Sequence, residues 1–368
     1  MPDWGHEPYR VDQVLNWLYA HQATSWDVMP NLPLKLRNQM REACTLHVLQ
    51  LERKQGARDT TLKFLWRLPD SAFIESVLIP ANQALYGDPS DRQTLCISTQ
   101  VGCAYGCEFC ASGLEGFRRN LAVEEIVEQV LAVERWHRKS VAQAQAEAQA
   151  AETAARVPRL RSVPRNIRSV DNLVVMGMGE PLANYDALLK ALHILNAPWG
   201  GGLGARKITI STSGLAPQIR KLAGEPAQYR LAISLHGATD EVRNRIMPIN
   251  RTYPLHELLA ACAYYVEKKG RMITLEYILI AGVNDSVAQT TPLAELARRL
   301  NAKINLIPYN TVEGLSWERP SEVVLEAFHS ALLHQGIHAT LRREKGGDVD
   351  AACGQLRLKT ERELAAAG

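Results

Sequence analysis

From residue 93 onward, the chain alternates short apolar segments with amphipathic ones. Helical stretches such as AVEEIVEQVLAVERW and TPLAELARRL separate six segments that have the length and β-branched content of buried strands. Six strand-then-helix units predict parallel strands joined by right-handed crossovers, which fit either a partial barrel or a doubly wound sheet. The predicted strands are TLCISTQ (94–100), NLVVMGMG (172–179), KITISTSG (207–214), RLAISLHG (230–237), ITLEYILI (273–280) and INLIPYN (304–310).

The first 70 residues have a different pattern, which is typical of a small and mostly helical unit. Apolar residues recur at helical spacing in YRVDQVLNWLY, and LPLKLRNQMREAC predicts a second helix that starts near Pro33. A short β pair is predicted at TLKFLWRL and AFIESVLIP. A turn-rich connector, residues 81–92, then leads into the first strand of the alternating region.

Residues 138–170 interrupt the alternation. SVAQAQAEAQAAETAA is Ala/Gln-rich, favours a helix and has no apolar stripe, and RVPRLRSVPRNIR follows with two prolines. We interpret this segment as a poorly packed inserted arm or linker. An RNA-contacting arm is the alternative, because five arginines and no acid lie between Arg156 and Arg168.

Composition limits the classes of protein to consider. A chain of 368 residues that is 46% hydrophobic can bury a large core, and its net charge of +3 is too small to indicate nucleic-acid binding by itself. Seven cysteines are too few for a disulfide framework. No apolar segment is long enough to span a bilayer, and MPDWGHEPYR does not resemble a signal segment. We therefore expect a cytoplasmic protein without a membrane partner.

Each predicted strand ends in an unusual sequence: a Cys-rich loop, GMGEP, STSG, SLHG, AGVND or PYN. Turns are commonly rich in Gly and polar residues, but the carboxyl ends of parallel strands also meet at one edge of a sheet or barrel. Six such endings in six strands favour one shared site. GMGEP is not a dinucleotide-binding loop, because Pro181 interrupts the required glycine spacing.

Three cysteines, Cys103, Cys107 and Cys110, lie within eight residues of each other in GCAYGCEFC. Three thiolates can bind three irons of a cubane cluster and leave the fourth iron open to a ligand. A closed zinc site needs a fourth ligand, and no other Cys or His lies between Cys110 and His137. A zinc site completed from a distant part of the chain remains the alternative.

CAYGCEFC resembles the Cys-x3-Cys-x2-Cys signature of radical S-adenosylmethionine (SAM) enzymes. The motifs together resemble the RlmN/Cfr family of radical SAM RNA methyltransferases, from about residue 9 to residue 356. They are TLCISTQVGCAYGCEFCASGLEGFRRNL, VVMGMGEPLANYDALLKAL, ISLHGATDEVRNRIMPIN, ILIAGVNDS, NLIPYN and DVDAACGQL. The resemblance implies an α/β fold, a partial (β/α)6 TIM-like barrel, with one [4Fe–4S] cluster on the three cysteines and SAM at the open iron.

The resemblance also implies a division of the chain. Residues 1–70 would form a small helical domain like the family's RNA-binding domain, and residues 71–93 a β extension and connector. Residues 94–345 would form the barrel, with the arm at 138–170 inserted into it. Residues 346–368 would form a C-terminal segment that carries Cys353.

The chemistry that the resemblance implies uses two further cysteines and a carboxylate. Carbon 2 of adenine is electron-poor and cannot attack a sulfonium methyl group, whereas a thiolate can. Cys353 is therefore implied to take a methyl group from one SAM. A radical made from a second SAM then removes a hydrogen from that methyl group, and the resulting methylene radical adds to the adenine carbon. Cys96 then attacks Cys353, which frees the product and leaves a disulfide. Glu75, in FIESVLIP, is implied as the base that removes the adenine proton.

The implied cofactor contacts all lie at predicted strand ends. They are Gly179, Glu180, Ser211, Ser234, Leu235, His236 and Asn310. A core histidine is the alternative for His236, and a solvated surface is the alternative for Arg118 and Arg119, which could otherwise meet phosphate. Cys44 and Cys262 are assigned to packing.

The implied substrate is an adenine of 23S ribosomal RNA, at carbon 2, with transfer RNA as a second substrate. The sequence does not identify the electron donor, and we expect a monomer. One alternative is the same mechanism at carbon 8, although Pro181 in GMGEP resembles the carbon-2 branch of the family, since alanine at this position is associated with the carbon-8 branch. Another is a non-catalytic iron–sulfur RNA-binding protein, which would need neither an open iron nor a Cys96/Cys353 pair. Lys345 stands where the family commonly has Arg, so a phosphate contact there would lose its bidentate geometry.

Overall fold

The computed structural model describes residues 4–57, 61–80, 92–154, 169–342 and 354–367. Its strands are β1 (Gln50–Gly56), β2 (Leu62–Arg67), β3 (Phe73–Pro80), β4 (Gln93–Cys96), β5 (Gln100–Gly102), β6 (Phe117–Asn120), β7 (Asn172–Val175), β8 (Ile208–Thr212), β9 (Arg230–Ser234), β10 (Thr274–Leu279), β11 (Lys303–Pro308) and β12 (Ala339–Leu341). Its α-helices are α1 (Arg10–Leu15), α2 (Leu34–Ala43), α3 (Val123–Ala154), α4 (Tyr185–Asn196), α5 (Ala216–Gly224), α6 (Asp240–Ile246), α7 (Leu255–Lys269), α8 (Thr290–Arg299), α9 (Glu322–His334) and α10 (Gln355–Ala367).

One ten-stranded sheet contains the whole series except β5 and β6, which form a separate pair. From β4 to β12 the strands are parallel, and their order in the sheet follows their order in the chain. A doubly wound sheet would reverse that order at a switch point. The partial barrel is therefore confirmed, together with all six predicted strands. The short strand β12 adds a seventh parallel strand, which the sequence analysis missed.

An antiparallel β extension, which consists of strands β1 to β3, precedes the barrel strands. The predicted β pair is confirmed as β2 and β3, while β1 was missed because its sequence QLERKQG is polar and mostly exposed. Strand β3 then pairs antiparallel with β4, and Val77 lies opposite Cys96. The extension and the barrel thus share one sheet, and Glu75 and Cys96 lie on neighbouring strands.

The N-terminal unit, residues 4–46, contains the two predicted helices α1 and α2, and α1 continues as a π-helical turn over Asn16–Ala20. Its buried side chains form a small core of their own, centred on Trp26, Met29 and Leu36. Cys262 is buried in the main core, as assigned from the sequence. The assignment of Cys44 to packing is wrong: it follows the last residue of α2 and is exposed.

The Ala/Gln segment is not separate from the preceding helix. Helix α3 continues without a break from Val123 to Ala154, so this half of the predicted arm extends a barrel helix. Its first turns bury Ile126, Val130 and Val133 against the sheet. The basic half of the arm, 155–168, lies outside the described residues. Among the described helices, none combines the length and the apolar character needed to cross a membrane.

A buried arginine fixes the ends of the barrel strands that precede α6. Arg243 is fully buried, and its NH1 donates to the carbonyl oxygens of Ser234 (3.1 Å) and Leu235 (2.5 Å). Its NH2 donates to the Ser213 carbonyl (2.9 Å) and its Nε to Asn250 Oδ1 (2.9 Å). Since Ser213 follows β8 and Ser234 ends β9, one side chain ties together two adjacent strand ends.

Replacing Arg243 by Met should destabilise the protein by about 3 kcal/mol, because several buried acceptors would lose their donor at once. Arg243→Lys should be intermediate, since a single ammonium group cannot span both strand ends. Equilibrium urea unfolding of the full chain measures the change. Arg245→Met, an exposed position on the same helix, is the matched control. An Arg243→Met protein as stable as this control would contradict the prediction.

Candidate active site

A cavity of about 350 Å³ opens at the carboxyl ends of the parallel strands. A volume of that size suits a small-molecule ligand. Most of the residues proposed from the sequence line it: Cys96, Cys103, Cys107, Cys110, Gly179, Glu180, Ser211, Ser234, His236 and Asn310. Leu235 is buried but is not part of the wall, and neither is Glu75. Cys353 lies outside the described residues.

The backbone of the cysteine loop, residues 102–110, forms hydrogen bonds with three other parts of the chain. The Cys103 N–H donates to the Gly116 carbonyl (3.1 Å), and the Glu108 N–H donates to the Ile246 carbonyl at the end of α6 (3.0 Å). The Trp317 indole donates to the Glu108 carbonyl (2.8 Å). Gly102 is required before the loop, because a Cβ there would lie 1.9 Å from the Gly116 oxygen.

Two thiols of this loop, those of Cys103 and Cys107, are difficult to ionise where they lie. Burial raises the pKa of Cys103 to about 12, and the Cys110 and Glu180 charges add to the effect. Burial also raises the pKa of Cys107 well above its ordinary value, and the nearby Cys110 and Cys103 charges add to this rise. Cysteines in this setting become thiolates when a bound metal supplies the positive charge.

The donor set fits a cubane cluster with an open iron. Within the described ranges, no three His, Cys, Asp or Glu side chains lie close enough to hold one metal ion together. In such a cubane each of the three cysteines binds a different iron, so the three thiols need not converge on a single point. All three thiols also line the same cavity as the proposed SAM contacts, as an open iron that binds SAM requires.

The GMGEP loop lies tightly against the strand that leads into the cysteine loop. Gly179 has a φ of +96°, and a Cβ there would lie 2.5 Å from the Gln100 Cβ. A Cβ on Gly177 would lie 2.6 Å from the Ile97 carbonyl oxygen. The Gln100 side chain then accepts the Glu180 N–H (2.8 Å). The two glycines thus bring Glu180 beside the cysteines.

Glu180 is a buried carboxylate that is held by hydrogen-bond donors from its own loop and from the end of β8. Its Oε2 accepts from the Ser213 N–H (2.7 Å) and hydroxyl (2.8 Å), and its Oε1 accepts from the Leu182 N–H (3.0 Å). Burial nevertheless raises its pKa. The Thr212 side chain also hydrogen-bonds to this carboxylate. A carboxylate buried in this way favours a cationic group beside it in the cavity.

Ser211, Ser234 and His236 form a polar wall across the ends of β8 and β9. The two serine hydroxyls lie 3.2 Å apart. His236 has a φ of +55°, and its Nδ1 accepts the Ile278 N–H (3.0 Å), which leaves the ring proton on Nε2. Burial lowers the pKa of His236 to about 3, so the ring is neutral. Its ring packs edge-on against Phe109 of the cysteine loop, with centroids 5.0 Å apart.

The sequence analysis missed Glu276, a buried carboxylate in the cavity wall. Glu276 lies on β10, opposite Ser234 of β9, and its side chain accepts a hydrogen bond from Asn305 Nδ2 (2.6 Å). Burial raises its pKa, while Asn305 and Arg342 oppose that shift. A single charge inside the apolar segment ITLEYILI was the available signal, since a buried barrel strand seldom carries one.

Glu75 is buried on β3 and is bound by the C-terminal segment. Its Oε2 accepts the Gly354 N–H (2.9 Å) and lies 3.3 Å from Lys63 Nζ, and its Oε1 accepts the Arg357 N–H (2.7 Å). Gly354 directly follows Cys353 in the chain. The structure thus brings Glu75 next to the residue after Cys353, although these two residues are far apart in sequence.

The two arginines after the cysteine loop have protein partners. Arg119 binds Asp70 (2.7 Å) and both carboxylate oxygens of Glu125 (2.7 and 2.9 Å), which raises its pKa. Arg118 is half exposed and lies 3.5 Å from Glu115 and from Glu361. These ion pairs favour a structural role for Arg119.

Comparison with known proteins gives one consistent result. Residues 97–291 match the model of the Radical SAM superfamily, and residues 1–46 match that of the Ribosomal RNA large subunit methyltransferase N-terminal domain. The chain is 53% identical to a probable dual-specificity RNA methyltransferase RlmN 3 of Opitutus terrae, over 98% of this chain and 91% of that one. It is 47% identical to the probable RlmN of Akkermansia muciniphila, over 98% and 92%.

A solved structure gives the same result for the fold. The crystal structure of a radical SAM methyltransferase from Sphaerobacter thermophilus superposes with a TM-score of 0.83 at 41% identity, and covers 95% of this chain and 93% of that one. Identity at this level over nearly the whole length shows common family membership. The chain therefore belongs to the RlmN family of the radical SAM superfamily.

Proposed function

We propose that this protein methylates carbon 2 of an adenine in 23S ribosomal RNA, with transfer RNA as a second substrate. The observation that carries the proposal is that the cysteine triplet and Cys96 line one cavity at the strand ends. Family membership supports RNA methylation, and relatives named as dual-specificity RNA methyltransferases support two RNA substrates. Pro181 in GMGEP supports carbon 2 over carbon 8.

Cys103, Cys107 and Cys110 would hold the [4Fe–4S] cluster, and SAM would occupy the rest of the cavity. When bound and reduced, the cluster supplies the electron that cleaves the sulfonium of SAM. Glu180 has the buried carboxylate that suits the SAM ammonium group. The hydroxyls of Ser211 and Ser234, with Asn310, would supply hydrogen bonds to its polar groups.

Cys353, Cys96 and Glu75 would carry out the transfer of carbon. Cys353 would accept the methyl group because a thiolate is nucleophilic and carbon 2 of adenine is not. That methyl group would then lose one hydrogen atom to the radical made from a second SAM, so that its carbon can bond to carbon 2. Glu75 takes the proton that adenine loses. Cys96 would then attack the Cys353 sulfur, so that a disulfide forms as the bond from Cys353 to carbon breaks. The released carbon takes up a proton to become the methyl group, and the one electron that was used to cleave SAM is given back. The position of Cys96 on the cavity wall and the contact between Glu75 and Gly354 support these assignments.

The remaining expectations follow from this function. The N-terminal unit, with its separate core, suits the proposed RNA-binding domain of residues 1–70. We propose that the enzyme is a cytoplasmic monomer that takes electrons from a donor protein. Methylation at carbon 8 is the second candidate function, and a non-catalytic iron–sulfur protein is a weaker one because the Cys96 thiol would then have no use in the cavity.

Anaerobically reconstituted protein should contain about four irons per chain and cleave SAM when reduced, as one cubane with an open iron requires. Cys107→Ala should lose the iron, whereas Cys44→Ala, which removes an exposed cysteine, should retain it. Iron and zinc analysis of both variants measures this. Stoichiometric zinc without iron would contradict the proposed cluster.

Cys96→Ser should stop the reaction after carbon transfer, because no thiol remains to cleave the bond between Cys353 and the RNA. We expect a covalent protein–RNA adduct on a denaturing gel, which is absent when Cys353 is also replaced by Ala. Cys44→Ser is the matched control and should release product normally. Normal turnover by Cys96→Ser would rule out resolution by this cysteine.

Mass spectrometry of nucleosides from treated 23S ribosomal RNA should detect 2-methyladenosine. The reason is that the new methyl group forms on whichever adenine carbon lies next to Cys353. Transfer RNA treated in parallel should give the same nucleoside. The appearance of 8-methyladenosine instead would support the alternative function and overturn the carbon-2 assignment.

A further inference from the structure

The C-terminal helix α10 begins with a residue that cannot cap it. The first N–H groups of an α-helix have no partner within the helix, and a Ser, Thr, Asp or Asn side chain usually accepts one of them. Gly354 occupies that position and has no side chain. The Glu75 carboxylate takes its place, with Oε2 on the Gly354 N–H (2.9 Å) and Oε1 on the Arg357 N–H (2.7 Å).

The charge of Glu75 makes this a strong contact. A negative charge is favoured at the positive end of a helix, and hydrogen bonds to a charged acceptor are stronger than those between neutral groups. Lys63 lies 3.3 Å from the same carboxylate and balances its charge, and both side chains are almost fully buried. The contact joins strand β3 to a residue 279 positions later in the chain.

Gly354 is also held from its other side. Its φ is +86°, and a Cβ there would lie 3.0 Å from both the N and the Oγ of Ser112, two residues after Cys110. Leu356 packs with Leu65 and Phe73 in a small buried cluster. The start of α10 thus lies between the β extension and the turn that follows the cysteine loop.

We propose that Glu75 is a positioning residue for Cys353, in addition to its role as the base. Gly354 is bonded directly to Cys353, so the carboxylate that holds the Gly354 N–H limits how far the Cys353 thiol can move from the cysteine loop. The inference rests on the proposed function, since it assigns Cys353 as the methyl acceptor. It adds that one carboxylate both anchors the carbon carrier and receives the proton.

The two roles of Glu75 act at different steps and can be separated. Methyl transfer to Cys353 occurs before adenine is involved, so a residue that acts only as a base leaves that step unchanged. A positioning residue affects it. Loss of the cap should also open the first turn of α10, which hydrogen exchange detects independently of catalysis.

The experiment uses the full-length, iron-reconstituted protein with Glu75→Gln, Glu75→Asp and Glu75→Ala. Gln keeps the volume but presents an NH2 group to one of the two N–H donors, while Asp keeps the charge on a shorter side chain. Glu52→Gln is the matched control, because Glu52 pairs with Arg67 in the same β extension. Hydrogen exchange of the peptide over 354–367 and methylation of Cys353 by labelled SAM without RNA are measured for each.

Glu75→Gln and Glu75→Ala should speed exchange at the start of α10 by about tenfold or more, the equivalent of losing one or two hydrogen bonds to a charged acceptor. They should slow Cys353 methylation, and Glu75→Asp should partly restore both. The Glu52→Gln protein should match the parent. Gly354→Ala, which disturbs the same residue from the Ser112 side, should give the same two changes and applies if the Glu75 variants do not take up iron.

Three outcomes would overturn the inference or separate it from the function. Normal Cys353 methylation in Glu75→Gln with loss of RNA methylation would leave Glu75 as a base only. Faster exchange with normal Cys353 methylation would show a cap that does not position the thiol, and would also overturn it. Failure of the parent protein to methylate Cys353 would instead contradict the proposed function.

Discussion

The site depends on one buried guanidinium, that of Arg243, which holds neighbouring strand ends in a single geometry. Carbonyl groups at the ends of β8 and β9 would otherwise have to find partners at the edge of the cavity, where a ligand would compete for them. Burial lowers the pKa of Arg243 to about 10, which still leaves it charged at neutral pH. The helix that carries it also accepts the Glu108 N–H from the cysteine loop. The polar wall and the cysteine loop are therefore positioned by the same short helix.

Much of this arrangement could be predicted from the sequence because its signals are local. Buried barrel strands have continuous apolar segments, and the six predicted barrel strands are all present. The glycines of GMGEP are required by close approaches to Gln100 and Ile97 of another segment, but the glycine spacing that allows these contacts is visible in the motif itself. The spacing within a short loop also predicted Cys103, Cys107 and Cys110 as ligands of one cluster, and all three line the cavity.

The remainder could not be predicted because it depends on pairs that are distant in sequence or on strands without an apolar pattern. Strands β1 and β12 are edge strands whose positions are mostly exposed or only partly buried, so no periodicity distinguishes them from loops. The choice between a barrel and a doubly wound sheet depends on strand order, which the pattern of each strand does not contain. The contact between Glu75 and Gly354 joins the first and last parts of the fold, and only the complete sheet brings them together.

The charges of the cavity connect its two proposed cofactors. Burial raises the pKa of Glu180 and of Glu276, and it does the same for the thiols of Cys103 and Cys107. Each of these groups is therefore costly to ionise unless positive charge is brought into the cavity. Iron would provide it for the thiols, and the ammonium and sulfonium groups of SAM would provide it for the carboxylates. Three thiolates outweigh the positive charge of a cubane core, so a bound cluster would be a net anion in the same small volume, and the positive groups of SAM would neutralise both the cluster and the carboxylates. Binding of the cluster and binding of SAM should for this reason strengthen each other and stabilise the fold around the strand ends.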